Sequence, residues 1–376
     1  MKVALTNPFC WPKVRRGSER FISELARYLS AHGEQVVTLS SQEGAGCEEA
    51  SEGGRRVIRP FLRPRLWDRL RLTPAHTFFY HCFRTLPRLD VDVVHSLHHT
   101  DALAANLRKR SRYKTIYQIM GVPMPAHFRR RYPPEHLIVQ HAIQRADARL
   151  VLSSFTRAMV RDYYGCDAEV LPLPVDTDQF PVKPAPGSRP ILLASAAFDD
   201  RRKGLRVLVE AFRRIQPSVP DVVLQLSGAI SAATRAEVID TLPAETRKAI
   251  HVLGVGRLED LPGLYRDASA MVLPSMWEAQ GMVILEALAS GTPVVCTRHG
   301  AFPEIISDPA TGALFDPQTD GFETTNADGL AEAMVQGLTL AGRRETIPAC
   351  RRAAERYGWR TVGPRYTELH RRVKAA

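Results

Sequence analysis

Six prolines and one glycine fall within PLPVDTDQFPVKPAPGSRP, residues 172–190. Proline fixes φ and removes a backbone donor, so neither a helix nor a sheet strand continues through such a stretch. It cuts the 376-residue chain into two parts of similar length. Before it, short β-branched runs read as buried parallel strands: 3–6, 35–40, 92–97, 114–119 and 148–153. Helix-like stretches lie between them, as at 18–32, which stops at Gly33, and at 101–110. After it the pattern restarts, with strands at 190–195, 221–228, 249–254, 269–274 and 293–297. Helices are expected there at 204–216, 234–241 and 282–289, and the tail from Asp328 is helical in pieces, ending with 362–373. Strands alternating with helices predict parallel α/β sheets. The length exceeds what one core supports, so the expectation is two doubly wound Rossmann-like domains. Their boundaries are placed at 1–180 and 181–355, with a C-terminal helix at 356–376 packing back on the first. Ligands of such folds bind beyond the carboxyl ends of the strands.

No stretch approaches the roughly 18 apolar residues of a membrane span. MKVALTNPFCW has too short an apolar run for a signal peptide and reads as a first strand ending in a loop. Six cysteines without a C-x-x-C pair argue against a zinc or disulfide framework and fit a reducing, cytoplasmic setting. Net charge is +11 and uneven: residues 1–180 carry 27 Lys+Arg against 18 Asp+Glu, the rest 24 against 22. A basic N-terminal half suggests an anionic partner, whether membrane surface, phosphorylated substrate or nucleic acid.

The chemistry concentrates in PSMWEAQGMVILEALASGTPVV, residues 274–295. A strand ends at Pro274, a loop carries Glu278, and a helix starts near Gly281 and Met282. Helix N-termini present free N–H groups that suit phosphate. Glu286 lies one turn inside an apolar helix, where a bare carboxylate is costly without a partner. Two partners fit: the paired hydroxyls of a ribose, or an arginine from a neighbouring helix.

Continued to Ile305, this stretch resembles the signature of the family 4 glycosyltransferases, sugar-nucleotide-dependent retaining enzymes of GT-B fold. It meets the pattern at Pro274, Ser275, Glu278, Gly281, Glu286, Ala287, Ala289, Gly291, Pro293, Val294, Val295, Gly300, Glu304 and Ile305. RKGLRVLVEAF (202–212) resembles the family's donor-lysine stretch, DVVHSLHH (92–99) its D-x-x-H segment, and residues 15–39 its glycine-rich opening. The resemblance implies a glycosyl transfer from a nucleoside-diphosphate sugar, UDP or GDP, to a hydroxyl acceptor with retained configuration. It implies no metal and no further cofactor. By position, Glu278 sits near the donor sugar and Glu286 holds the ribose. Gly281 and Met282 offer backbone at the diphosphate or sugar, and Lys203 holds the diphosphate as a point charge. Gly17 lets the first-domain backbone approach the phosphates, and a histidine of 95–99, His98 foremost, faces the reacting sugar. HSLHH as a metal site lacks a carboxylate or cysteine partner at fixed spacing.

Two departures stand out. Ala196 takes the place of a usual arginine before the lysine, so either Arg201 or Arg202 substitutes at the diphosphate or the donor binds less tightly. Arg16 stands where a glycine pair is usual. Asp199–Asp200 reads as a local cap or ion pair.

Residues 55–72, RRVIRPFLRPRLWDRLRL, interleave seven arginines with large apolar side chains, and RRR follows at 129–131. This composition suits a membrane interface, or a solvated face whose apolar residues pack on the domain. The first reading brings a lipid-linked or anionic acceptor to the inner face of a membrane, in glycolipid, polysaccharide or other glycoconjugate synthesis. No nucleic-acid-binding motif accompanies the arginines, so no specific nucleic acid is expected. Other functions compatible with the fold are a non-catalytic nucleic-acid- or anion-binding protein and a different GT-B enzyme such as a nucleotide-sugar epimerase.

Overall fold

The structure, a computed structural model, describes residues 1–14, 17–62, 73–109, 112–125, 134–187, 189–319 and 321–376. It divides into two compact units, Met1–Leu173 with Val362–Ala376, and Pro174–Thr361.

In the first unit the elements are β1 (Lys2–Phe9), α1 (Gly17–Ala31), β2 (Gln35–Gln42), β3 (Cys47–Ser51), β4 (Gly54–Pro60), α2 (Pro74–Thr85), β5 (Val93–Ser96) and α3 (His99–Arg108). They continue with β6 (Lys114–Ile119), α4 (Glu135–Arg145), β7 (Ala148–Val151), α5 (Ser154–Tyr164) and β8 (Glu169–Val170). The sheet order is β3-β4-β2-β1-β5-β6-β7-β8. β3 pairs antiparallel with β4, and the remaining pairs are parallel. Six consecutive residues of β1, Val3–Pro8, are buried, the mark of a central strand covered on both faces. α5 starts on a Ser153–Thr156 capping box and ends at Gly165 in the left-handed conformation.

The basic stretch divides. Arg55–Pro60 belong to β4, whose Val57 and Ile58 are buried, while Arg55 and Arg59 pair with Glu48 and Arg56 with Glu49 on β3. This part therefore follows the packed reading: its arginines neutralise a neighbouring acidic strand. Residues 63–72, Arg129–Arg131 and Arg16 lie outside the described residues.

The second unit holds β9 (Ile191–Ser195), α6 (Leu205–Ile215), β10 (Val223–Ser227), α7 (Ala232–Val238), α8 (Ala244–Lys248), β11 (Ile250–Gly254), α9 (Leu261–Asp267) and β12 (Ala270–Leu273). It continues with α10 (Met282–Ala289), β13 (Val294–Thr297), α11 (Phe302–Ile305), β14 (Gly312–Phe315), α12 (Ala327–Ala341) and α13 (Thr346–Glu355). The last helix, α14 (Trp359–Ala375), starts here and enters the first unit at Val362. The sheet order β11-β10-β9-β12-β13-β14 is wholly parallel and reverses direction between β9 and β12. Such a reversal opens a crevice at the strand carboxyl ends. α6 buries Leu205, Leu208, Phe212 and Ile215, one face at helical spacing, against the sheet.

Candidate active site

At the reversal in the second unit, two loops meet. One follows β9 and ends in a turn of 3₁₀ helix, Arg201–Lys203; the other follows β12 and carries Glu278. The Met276 N–H donates to the Arg202 carbonyl at 2.8 Å, locking the loops together. Gly204 has φ +70, and a Cβ there would lie 2.7 Å from the Pro274 carbonyl. Only glycine allows both that conformation and that approach.

The lock brings Lys203 Nζ to 2.5 Å from Glu278 Oε1, with both side chains mostly buried. Charge-assisted contacts of this kind are the stronger hydrogen bonds. Arg202 folds back on Asp200, which accepts from its Nε at 3.1 Å and its Nη2 at 2.5 Å, and also caps the turn through the Arg202 N–H. Asp199 accepts from the Ser231 N–H and the Thr234 hydroxyl, so this acidic pair is built into local structure. Arg201 pairs with Glu323, 2.5 Å away. Both arginines are thus paired with carboxylates. Ala196 spends its N–H on the Ser227 carbonyl.

α10 begins at Gly281, whose φ is +91; a Cβ there would meet the Phe302 ring at 2.8 Å. Packing and backbone conformation alone therefore require glycine at this position. Met282 opens the helix. Glu286, buried within it, accepts a 2.8 Å hydrogen bond from the Tyr265 hydroxyl, itself buried. That contact answers part of the desolvation cost with a neutral donor from α9.

Trp277 escaped the sequence reading. It precedes Glu278 with φ +63, a left-handed conformation that a bulky residue rarely adopts. Its indole N–H donates to the Gly321 carbonyl at 3.3 Å, and its ring meets His299 edge-on at 4.6 Å. Together with Arg201–Glu323, this ties the 321–326 loop to the Lys203–Glu278 corner. No signal in the sequence marks that loop.

In the first unit the sheet reverses between β1 and β5. Gly17 starts α1 there, and His98 caps α3. His98 Nδ1 lies 2.9 Å from the Thr100 hydroxyl, whose own proton goes to the Ala75 carbonyl at 3.0 Å, and 3.4 Å from the Thr100 N–H. Its ring lies 3.9 Å from that of His99. His95, by contrast, is wholly buried and bonded to Gln118 and His370.

His76, His99 and Glu135 bring one potential metal-ligand atom each within 4.8 Å of one another. His99 Nε2 is 3.2 Å from Glu135 Oε1. His76 Nδ1 accepts the Thr73 N–H at 3.1 Å, which in the neutral ring puts the proton on Nε2, making it a donor rather than a ligand. All three residues sit in the first turns of helices, whose partial positive charge opposes a cation. Within the cluster His99 and Glu135 form a buried histidine–carboxylate pair, with half-buried His76 beside it. Its members are too far apart in sequence for spacing to have found it.

The site residues thus gather in two places. Lys203, Arg202, Glu278, Gly281, Met282 and Glu286 lie at the carboxyl edge of the second sheet, and Gly17 and His98 at that of the first. Comparison with known proteins follows this division. The model for glycosyl transferases group 1 matches residues 175–338, and that for glycosyltransferase family 4 matches residues 15–179. Phosphatidyl-myo-inositol mannosyltransferase of Mycobacterium tuberculosis is 26% identical over 99% of this chain and 97% of that protein. A GDP-mannose-dependent alpha-(1-6)-phosphatidylinositol monomannoside mannosyltransferase of Mycolicibacterium smegmatis is 30% identical over 60% of this chain and 62% of that protein. Among solved structures, sucrose-phosphate synthase from Thermosynechococcus elongatus superposes with a TM-score of 0.81 at 20% identity, covering 100% of this chain and 99% of that one. The two matched regions draw on both units, and the chain belongs to the family 4 glycosyltransferases of GT-B fold.

Proposed function

We propose that this glycosyltransferase moves a hexosyl group from a nucleoside-diphosphate sugar to a hydroxyl of a lipid-linked, phosphate-bearing polyol, with retention of configuration. The observation that carries the donor half is the convergence of Lys203, Glu278 and Glu286 beside the α10 N-terminus, at the point where the second sheet reverses. Lys203 stabilises the diphosphate leaving group as charge develops on it. The N–H groups of the first α10 turn add the partial positive charge of a helix end. Glu286 accepts the ribose hydroxyls while keeping its Tyr265 bond, and Glu278 faces the sugar. Arg202 joins the diphosphate by exchanging Asp200 for phosphate. In the first unit, Gly17 is the residue that would let backbone approach the phosphates, and His98 the one that would face the reacting sugar. Rate then comes from positioning and leaving-group stabilisation, and departure and attack on one face of the sugar retain the anomeric configuration. The acceptor half follows the names of the mannosyltransferase relatives and the basic character of residues 1–180. Among the described residues no helix is long and apolar enough to cross a membrane; the reading has the protein meet its lipid acceptor at the inner face of a membrane.

Calorimetric titration with GDP, UDP, ADP, dTDP and CDP tests the donor half. One nucleoside diphosphate saturates the protein, and at a hundredfold excess over Kd it raises stability by about 2.7 kcal/mol. Binding to none of them, with salt-sensitive binding to nucleic acid instead, would show a non-catalytic binder and overturn the reading.

A further inference from the structure

The last helix ends in a buried polar chain that the donor chemistry does not use. Its four side chains, His370, His95, Gln118 and Tyr366, are each 0% exposed. Its direction follows from one end. The Pro172 carbonyl can only accept, so the Tyr366 hydroxyl 3.2 Å away donates to it. That hydroxyl has then spent its proton, and Gln118 Nε2 donates to it at 2.7 Å. The amide oxygen of Gln118 consequently faces His95, whose Nε2–H donates to it at 3.0 Å. A neutral His95 proton-bearing at Nε2 has a lone pair at Nδ1, so His370 Nε2–H donates there, again at 3.0 Å. Every proton in the chain runs one way, from α14 through β5 and β6 to the segment after β8. Burial holds the His95 ring neutral, with its pKa lowered to about 4.

His95 lies three residues before His98. It pairs in register with Leu5 on β1 and Ile116 on β6. The hydroxyl of the next residue, Ser96, lies 2.9 Å from Thr6 Oγ1, and Thr6 gives its one hydroxyl proton to Asp101 Oδ2 in the first turn of α3 at 2.5 Å. The Leu97 N–H donates to the Thr6 carbonyl at 3.1 Å. The corner between β5 and α3 is therefore held by Thr6 and, through His95, by a side chain 275 residues further on. His370 is the donor at the head of the chain, and without it His95 Nδ1 would be a buried acceptor with nothing to accept.

We propose that His370 is a positioning residue for glycosyl transfer: through the tautomer and place of His95 it sets the end of β5 from which His98 is presented. The proposal rests on the reading that His98 meets the reacting sugar. Glutamine at 370 offers an amide N–H in place of Nε2–H, whereas alanine offers none.

The test compares His370→Gln and His370→Ala in the full chain by two readouts. Nitrogen-15 imidazole NMR should show His95 protonated at Nε2 in the wild type and in His370→Gln. In His370→Ala the His95 pattern and the His98 ring resonances should both move. Transfer from GDP-mannose and from UDP-glucose to vesicles of equimolar phosphatidylcholine and phosphatidylinositol should lose kcat between about tenfold and a hundredfold in His370→Ala. The KM for the donor should stay unchanged, and His370→Gln should recover the rate. A His95 ring protonated at Nδ1 in the wild type, or unmoved His98 resonances in His370→Ala, would overturn the proposal even for a protein that transfers nothing to these vesicles. So would full kcat in His370→Ala, or a lost rate that glutamine does not restore. Wild-type transfer failing while the resonances move as described would count against the acceptor reading alone.

Discussion

Lys203 Nζ stands 2.5 Å from Glu278 Oε1, so the cation proposed for the diphosphate is paired with the carboxylate proposed for the sugar. The pairing lets two mostly buried charges balance each other. The two residues should then respond oppositely to substitution. Lys203→Ala removes a charge-assisted contact and weakens nucleoside-diphosphate binding by about 1.5–3 kcal/mol. Glu278→Ala releases Lys203, so the same titration gives equal or tighter binding while kcat falls. Weaker binding in both variants would show that the pair acts as one structural unit.

Glu286 separates ribose recognition from mere burial. Its carboxylate accepts the Tyr265 hydroxyl, so Tyr265→Phe leaves that oxygen without its donor and costs about 1–3 kcal/mol of stability in chemical denaturation. Glu286→Gln retains an acceptor for Tyr265 but loses the charge that strengthens bonds from ribose hydroxyls. It should keep most of the stability and bind the ribonucleotide more weakly, with a smaller loss for a 2′-deoxy analogue. Equal losses for both nucleotides would remove the ribose from the account.

Gly204→Ala tests the lock between the two donor-side loops. A left-handed alanine costs about 1–2 kcal/mol, and its Cβ, 2.7 Å from the Pro274 carbonyl, forces the loops apart. Both melting temperature and donor affinity should fall, because the shift also separates Lys203 from Glu278. A variant that loses stability but binds donor normally would show that the lock does not place Lys203.

The buried His95 gives the first unit an acid sensitivity with a definite sign. Its folded pKa, about 4, lies below the unfolded value near 6.5. The neutral ring's contribution is complete above pH 6.5 and is lost as pH falls toward and through 4. Burial pushes His370 the same way, and the nearby His95 adds to the effect. His95→Gln removes one such group, so unfolding free energy measured from pH 7 to pH 4 should fall less steeply than in the wild type, by on the order of 3 kcal/mol across the window. Parallel curves would refute a neutral buried His95.

Much of this was legible because parallel strands buried on both faces write themselves as short β-branched runs. β1, β5, β6, β9 and β12 all carry that mark. The β3–β4 hairpin does not: GRRVIRP mixes arginines with the buried Val57 and Ile58, and its parallel pairing with β2 and its ion pairs to Glu48 and Glu49 appear only once the strands are together. α2 was hidden for a related reason, since FFYHCF reads as an extension of the basic, aromatic stretch before it. In the site, Glu278 and Glu286 could be singled out because a charge at a helix mouth or within an apolar helix is conspicuous, whereas Lys203 was marked by the resemblance of its stretch to the family's. The left-handed Trp277, the closure of Arg201 on Glu323 and the chain from His370 to Pro172 depend on residues dozens to hundreds of positions apart. Local pattern carries no trace of them.

The most direct measurement is transfer of radiolabelled sugar from GDP-mannose and UDP-glucose to phosphatidylinositol vesicles by wild type and Glu278→Ala, with the product's anomeric configuration read from its proton couplings. The account predicts a labelled α-linked glycolipid from one α-linked donor, reduced at least about a hundredfold in the variant. An inverted product, or equal transfer by both proteins, would contradict it.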